Sequence, residues 1–417
     1  MVKVLFTTPV LGHPAAGGYK LRIENSIKAL SEISDLYIYS RVPLDALGGA
    51  NGLSFYEQYC RRFYFAPSVS QNAKYIRLAK GAINLLSRRI INRSILLTGQ
   101  ESGETFRALL NVAGDIKADV IWLGYGNISY PLLKYIKIHS DYKVVLDTDS
   151  VWSKFVLRGL PFAKDKEEGQ RIEREGRQKE EEERWGTQLA DVSTAVSEID
   201  ADYYRHLANH PQQVHIFSNV IDIETYEQIP PPADNFRKPC IYLAGTFWPR
   251  SPMEDAARWV IAEVLPLVRR QIPNIHSYII GNGSDQTLMD IDDPGITITG
   301  ELPSVLPYLC HADVALVPLR FESGTRFKIL EAGACGIPVV STTLGAEGLF
   351  VTNGKDILIA DEPESFADSI ISIITNHDLA PELAKNLRVL VHEKYSIASL
   401  AREGRFILDY LACRSNM

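Results

Sequence analysis

Cysteine is scarce in this sequence, and no pair stands at metal-ligand spacing. The five cysteines, Cys60, Cys240, Cys310, Cys335 and Cys413, are scattered and odd in number. Neither a zinc site nor a disulfide framework is expected, and a reducing cytoplasm fits this usage. Basic charge is also short, with 44 Lys and Arg against 51 Asp and Glu, a net charge of −7. General nucleic-acid binders are basic overall, so nucleic acid is not expected as a partner. No apolar run approaches the roughly 20 residues of a membrane span. The longest, such as 314–319 and 357–360, have the length of core strands. Met1-Val-Lys-Val-Leu-Phe leads directly into a strand pattern, so no signal peptide is expected. The Gly-x-Gly-x-x-Gly fingerprint of dinucleotide oxidoreductases is missing as well. The loop after the first strand reads Gly12-His-Pro-Ala-Ala-Gly-Gly18 instead.

What is present is the composition of a soluble enzyme: 417 residues, 46% apolar and 23% charged. Short β-rich runs alternate with helical spacing. Val2-Lys-Val-Leu-Phe-Thr-Thr precedes a glycine loop, and then Leu21, Ile23, Ile27, Leu30 and Ile33 recur at helical intervals before the strand Leu36-Tyr-Ile-Tyr. Further strand runs begin at Asp119, Lys143, Asp191 and Val214. The rhythm restarts at Cys240 and continues through runs at Ser277, Ile296, Val314, Pro338 and Asp356. Near-continuous apolar runs suit parallel strands buried on both faces. This predicts two successive parallel α/β halves, each of roughly 200 residues. Ser218-Asn-Val-Ile-Asp222, followed by Pro230-Pro-Pro232, marks the boundary.

Two segments interrupt the rhythm. Residues 58–100 contain no Asp or Glu but eight basic residues, interleaved with aromatic and aliphatic ones. A basic amphipathic stretch of this kind can lie on an anionic membrane surface, which makes 61–93 a candidate for peripheral contact with the inner membrane face. Residues 164–184 carry both signs densely, with i,i+4 pairs such as Glu180/Arg184, and read as a solvated helix.

The most informative stretch is Phe321-Glu-Ser-Gly-Thr-Arg-Phe-Lys-Ile-Leu-Glu-Ala-Gly-Ala-Cys-Gly-Ile-Pro-Val-Val-Ser341. It follows a strand, and Gly324 opens a loop. Phe327, Leu330 and Ala334 then share one helix face, and Gly336 closes the helix before the next strand. Ser323, Gly324 and Thr325 thus fall near a helix N-terminus, where free N–H groups and the dipole favour an anion. Arg326 and Lys328 add positive charge in the same turn, and Glu331 follows about one turn deeper. A carboxylate beside a phosphate site is tolerated where it holds sugar hydroxyls. Nucleotide binding is one reading of this pattern, and ordinary surface charge is the other.

This stretch resembles the donor-site signature of GT-B glycosyltransferases, specifically glycosyltransferase family 4, in its variant Gly-Thr-Arg-x-Lys form. Gly345-Ala-Glu-Gly-Leu349 resembles the loop after the signature strand, and Gly245-Thr-Phe-Trp-Pro with Pro252, Asp255 and Trp259 resembles the first strand–helix turn of the C-terminal domain. Gly281-Asn-Gly-Ser and Gly300-Glu-Leu-Pro resemble the nucleotide-facing loops, and Tyr395-Ser-Ile precedes the usual final helix. The resemblance implies an α/β protein of the GT-B fold: two Rossmann-like domains facing an interdomain cleft. They are an acceptor domain at 1–217 and a nucleotide-sugar donor domain at 218–395, with a helix at 396–417 crossing back to the first. It further implies transfer of a sugar from a nucleoside diphosphate sugar to an acceptor hydroxyl, with retention of configuration and with neither metal nor cofactor. The acceptor would be a glycan, a lipid-linked glycan or a small molecule, in polysaccharide or glycoconjugate biosynthesis.

Carried over by residue, the resemblance has Arg326 and Lys328 neutralise the departing diphosphate and Glu331 bind the ribose. Ser323, Gly324 and Thr325 would touch the donor from the helix start. Gly17 and Gly18 would let backbone approach the phosphate and sugar. Gly245, Gly281, Gly283 and Leu302 would line the nucleotide, while Gly345 and Glu347 belong to the loop beside it. Many members carry a second glutamate where this chain has Ser323, so contacts to the transferred sugar differ here. For Arg22 two readings stand, a phosphate contact or a surface residue, and Arg250 ranks below Arg326 and Lys328. In the first half, Asp149 would orient an acceptor hydroxyl, unless Asp147 merely caps the next helix. Tyr125-Gly-Asn127 is a similar strand-end candidate, and His13, in the first glycine loop, is a candidate to contact the acceptor or the donor sugar, an ordinary loop histidine being the alternative. A nucleotide-sugar epimerase would need a cluster of acid–base residues around the sugar, and none is visible. A non-catalytic, degenerate transferase is the remaining alternative.

Overall fold

The computed structural model describes residues 1–15, 17–67, 103–324 and 326–413. Thr325 and most of the basic stretch, from residue 68 onward, lie outside the described residues. Contacts divide the chain into two compact units. One comprises Met1–Ser153, Arg174–Ser218 and Leu400–Met417, and the other Lys154–Glu173 and Asn219–Ser399. Sequence alone puts 154–173 in the first domain, whereas its contacts are with the second unit.

The first unit is built on a sheet of strands β1 (Lys3–Thr8), β2 (Asp35–Ser40), β3 (Arg62–Phe65), β4 (Val120–Gly124), β5 (Lys143–Asp147), β6 (Val192–Ala195) and β7 (Val214–Ile216). They lie in the order β3-β2-β1-β4-β5-β6-β7, each pair parallel. Every residue of β4 is buried, as its unbroken apolar run requires. The edge strand β3 is not anticipated from sequence, because Arg-Phe-Tyr-Phe reads as part of the basic stretch. Among the described residues it pairs with β2 alone, and Arg62 lies 5.1 Å from the centre of the Tyr64 ring. A charged residue on an edge strand also discourages pairing with another chain.

The helix Gly18–Ile33 follows β1 and buries Arg22, Glu24, Asn25, Ser26 and Lys28 along with its apolar residues. Arg22 explains part of this polarity. Its guanidinium meets the carboxylate of Asp147 and donates to the carbonyl of Phe217 at 3.0 Å. Asp147, fully buried at the end of β5, also accepts from Trp122 Nε1 at 3.1 Å and Thr194 Oγ1 at 2.8 Å. Arg22 is therefore an internal tie and not a phosphate ligand, and the Asp147 carboxylate is spent on this tie.

The helix Lys166–Leu189 is exposed or half-buried except at Gly176, Glu183, Gly186 and Thr187, and Glu180–Arg184 pair at 3.4 Å as their spacing predicts. Glu183 departs from the solvated reading, being 1% exposed. Its carboxylate accepts from the backbone N–H of Ser153 at 3.0 Å, from Ser153 Oγ at 2.5 Å and from Tyr203 Oη at 2.8 Å. It thereby satisfies donors at the start of the helix Trp152–Leu157. The final helix, Ile397–Cys413, belongs from Leu400 to the first unit. Glu403 accepts from Ser218 N–H at 2.7 Å and Ser218 Oγ at 2.8 Å, and a Cβ at Gly404 would meet Ile33 at 2.9 Å.

The second unit carries β8 (Cys240–Ala244), β9 (His276–Ile280), β10 (Ile296–Ile298), β11 (Val314–Val317), β12 (Val339–Ser341) and β13 (Leu358–Ile359), ordered β10-β9-β8-β11-β12-β13 and parallel throughout. One hydrophobic cluster, running from Ile221 to Tyr395, fills both faces of this sheet.

Removing one partner of a buried, hydrogen-bonded ion pair strands the other charge and typically costs about 3–5 kcal/mol. Asp147→Ala is expected to lose that order of stability in urea unfolding. Asp149→Ala, two residues on, is expected to lose far less, and equal losses would contradict the tie.

Candidate active site

In the second unit the helix Phe327–Cys335 begins directly after the loop that leaves β11. Gly336, left-handed at φ 69°, ends it by donating to the carbonyls of Ala332 and Gly333. Arg326 precedes the first helical residue and is only 5% exposed. Its guanidinium bends back to the carbonyls of Ser323 (2.7 Å) and Gly324, shaping the loop from within. Lys328, in the first turn, is partly buried, and its ammonium has no hydrogen-bond or ion-pair partner among the described residues. Burial pulls its pKa down; Glu322 and Glu331 oppose this, and Arg326 adds to it. Ser323 is 8% exposed, and its hydroxyl has no partner among the described residues.

Glu331 sits one turn further on. Burial raises its carboxyl above the ordinary value, against the hydrogen bond from Tyr226 and the charge of Lys328. Tyr226 Oη donates to it at 2.9 Å and fixes its direction. Tyr226 belongs to the short helical turn Ile223–Tyr226 just after the predicted boundary, a partner that sequence spacing cannot reveal. At the far end of the helix, Cys335 Sγ lies 3.5 Å from Cys310 Sγ, both as free thiols. Two cysteines scattered in sequence are thus neighbours in space.

Gly245, Gly281, Gly283 and Leu302 follow the carboxyl ends of β8, β9 and β10. Gly245 N–H donates to Ile280 O at 2.9 Å, Phe247 N–H to Asn282 O at 2.8 Å, and Gly281 N–H to Gly300 O at 2.9 Å. Gly281 has φ 129°, and a Cβ there would lie 1.8 Å from the Gly245 carbonyl, so no other residue fits. Gly283 and Leu302 border the same loops, Leu302 partly buried against the core. The loop with Gly345 and Glu347 is tied to β11 through Thr342, whose N–H donates to Val317 O at 3.2 Å and whose Oγ1 accepts from Gly345 N–H at 2.9 Å.

Sequence reasoning missed a brace on these loops. Arg158, from the segment Lys154–Glu173, clasps Glu347 with two bonds of 2.8 Å and donates to the Glu322 carbonyl at 2.6 Å. Four residues on, the Phe162 ring packs against Phe321 with centroids 4.4 Å apart. Glu168 then takes Arg250 at 2.6 Å. Arg250 is thereby occupied, and so is Arg320, which pairs with Asp255 at 2.5 Å. The only advance sign was an Arg and a Phe on a segment without obvious periodicity.

In the first unit, Gly17 has φ 83° and opens the helix at Gly18. His13 stacks on Phe55, centroids 3.6 Å apart, and its Nδ1 is 3.1 Å from Glu24, which also pairs with Lys28 at 2.9 Å. Asp149 is partly exposed just past β5. Its N–H donates to Asn127 Oδ1 at 3.0 Å, and its carboxylate accepts from Trp152 Nε1 at 3.1 Å. Burial pushes the Asp149 carboxyl up to about 6, with Arg22 and the Trp152 hydrogen bond opposing.

Residues 238–376 match the sequence family described as "Glycosyl transferases group 1". Over 90 residues the chain is 30% identical to 2-deoxystreptamine N-acetyl-D-glucosaminyltransferase of Niallia circulans, covering 21% of this chain and 23% of that one. The matched parts span 38% and 23% of the lengths of the curated relatives. Among solved structures, sucrose-phosphate synthase from Thermosynechococcus elongatus superposes over 99% of this chain and 100% of its own, with TM-score 0.70 and 16% identity. The Anabaena protein Alr3699/HepE in complex with UDP and glucose superposes over 98% and 100%, with TM-score 0.62 and 12% identity. The fold is GT-B, two Rossmann-like α/β units as expected from the sequence.

The Arg158–Glu347 clasp has a measurable energy. A double-mutant cycle with Arg158→Ala and Glu347→Ala is expected to give a coupling of about 1–2 kcal/mol in urea unfolding. Arg158→Lys should not restore it, because an ammonium cannot make the bidentate contact. Additive single-mutant losses would contradict the brace.

Proposed function

We propose that the protein is a glycosyltransferase that moves a sugar from a nucleoside diphosphate sugar to an acceptor hydroxyl, retaining anomeric configuration. The observation that carries this reading is the Lys328 ammonium at a helix N-terminus, in ion-pair or hydrogen-bond contact with none of the described residues, five positions after Ser323, whose buried hydroxyl likewise has no partner among them. Nearby arginines are already occupied: Arg158 by Glu347, Arg250 by Glu168 and Arg320 by Asp255. A diphosphate supplies the missing negative charge, and the helix N–H groups favour it further. Glu331, aimed by Tyr226, suits the hydroxyls of an attached ribose. The family match over 238–376 supports the same assignment.

In this reading the bond from the anomeric carbon to the diphosphate breaks while the acceptor oxygen approaches from the same face. The departing phosphate oxygen takes the acceptor proton. Retention then needs no enzymic nucleophile. The chain's contribution is electrostatic: Lys328 and the helix N-terminus stabilise charge growing on the leaving group, and Arg326 holds the loop in shape. Transfer in EDTA is expected to match transfer without it. Asp149 accepts a hydrogen bond from the acceptor hydroxyl and orients it. In the lipid-linked version of the acceptor, the basic stretch 61–93 lies on an anionic membrane face. Salt-sensitive sedimentation with anionic vesicles tests that part, and no binding removes it.

A thermal-shift panel of nucleoside diphosphates, followed by hydrolysis of the matching sugar nucleotides, tests the donor. One diphosphate is expected to raise the melting temperature, and Lys328→Ala to lower kcat by about 10²–10³-fold without unfolding. If no nucleotide shifts melting, or the variant turns over normally, the reading fails. For Asp149, kcat/KM for the acceptor is expected to rise as pH increases through about 6, where its carboxylate forms. Asp149→Asn should abolish that limb of the profile.

A further inference from the structure

Three aromatic side chains form a chain of rings that ends on Asp149, to which Trp152 Nε1 donates at 3.1 Å. Tyr19 stands in the first turn of the helix after β1, Tyr125 directly follows β4, and Trp152 opens the helix after β5. These strands are adjacent in the sheet. The rings touch in sequence: Tyr19 and Tyr125 have centroids 6.1 Å apart, and Tyr125 and Trp152 5.9 Å apart at 73°. All three, like Asp149, are partly exposed, unlike the fully buried Trp122 beneath them in β4. From β1 the chain goes to β2 on one side, and β4 pairs on the other, so the strand order turns between β1 and β4. Ligands of open parallel sheets bind outside the carboxyl ends of strands at such a turn.

Tyr125 adds an independent observation. Its backbone is left-handed, φ 60° and ψ 52°, which is uncommon for a bulky side chain and costs of order 1–3 kcal/mol. Such strain persists where surroundings over-determine it, and it clusters at ligand sites. Here Asn127 supplies the constraint, accepting from Asp149 N–H at 3.0 Å and donating to Ser150 O at 3.0 Å, so the β4 and β5 loops are laced together. The Trp152 ring is held in turn by its bond to Asp149, with Lys179 Nζ 5.5 Å from its centre.

We infer that Tyr19, Tyr125 and Trp152 form the platform for the acceptor, and that the acceptor presents a hexopyranose ring to it. This rests on the transferase reading above. A pyranose has an apolar C–H face that suits aromatic faces, and a rim of hydroxyls that suits phenol and carboxylate. Asp149, whose bond from Trp152 leaves further acceptor capacity, lies where a ring hydroxyl would project. A phosphorylated or carboxylated acceptor group would be repelled by Asp149.

The test is saturation-transfer NMR on the full chain, with methyl glucoside, galactoside, mannoside and N-acetylglucosaminide, and glycerol as the polyol without a ring. At least one pyranoside is expected to bind saturably and glycerol not. Trp152→Ala and Tyr125→Asn should each weaken binding about tenfold while the nucleoside diphosphate shift in melting stays unchanged. Asn tolerates the left-handed backbone, so Tyr125→Asn removes the ring without adding strain. Tyr19→Ala replaces Trp152→Ala if that variant melts early. Absence of pyranoside binding, or unchanged binding in the variants, overturns the platform even where nucleotide binding is intact. Pyranoside binding with no nucleotide response leaves the platform standing and overturns the donor assignment.

Discussion

Parallel pairing constrains everything else in this molecule. Strands that run the same way all release their chains at one edge, so each carboxyl-end loop emerges beside its neighbours. The order of each sheet turns once, between β1 and β4 and between β8 and β11. Gly17 and Tyr125 follow the strands of the first turn, and Asp149 follows β5 next to them. Gly245 and the loop leading to Lys328 follow strands at the second. Chemistry-bearing side chains collect there because other positions on the strands are buried on both faces.

Charge is distributed with the same economy. Arg22 is answered by Asp147 deep in the first unit, and Arg158, Arg250 and Arg320 are answered by carboxylates in the second. Lys328 is the contrast, held near carboxylates but in ion-pair contact with none among the described residues. A cation kept this way is a standing electrostatic demand, and a helix N-terminus beside it adds to the demand without adding a side chain.

The strands were legible because double-sided burial writes itself as apolar runs, and the helix Phe327–Cys335 because its glycine stop and apolar face have a period. What escaped depends on distance along the chain. Arg158 and Glu347 are separated by 189 positions, and Tyr226 and Glu331 by 105. No local pattern encodes such partners. Arg22 looked available for phosphate because an Arg one turn into a helix is usually exposed, yet Asp147 buries it. Glu183 looked solvated because its neighbours are. The strand β3 was masked by arginine in a four-residue run. At the site itself, the motif residues were readable as types, while their orientation by Tyr226 and Arg158 was not.

The brace from Arg158 to Glu168 also bears on how such a molecule can be rearranged. The second unit is discontinuous, with Lys154–Glu173 inserted from far upstream. Grafting only residues 219–399 from a relative would pair foreign loops with a resident Arg158 and Phe162. Glu347, the Glu322 carbonyl and Phe321 would then have to find partners they had not evolved beside. The shape of these loops is therefore written in two separated stretches of sequence, and recombination that respects only the visible boundary at Ser218 separates them.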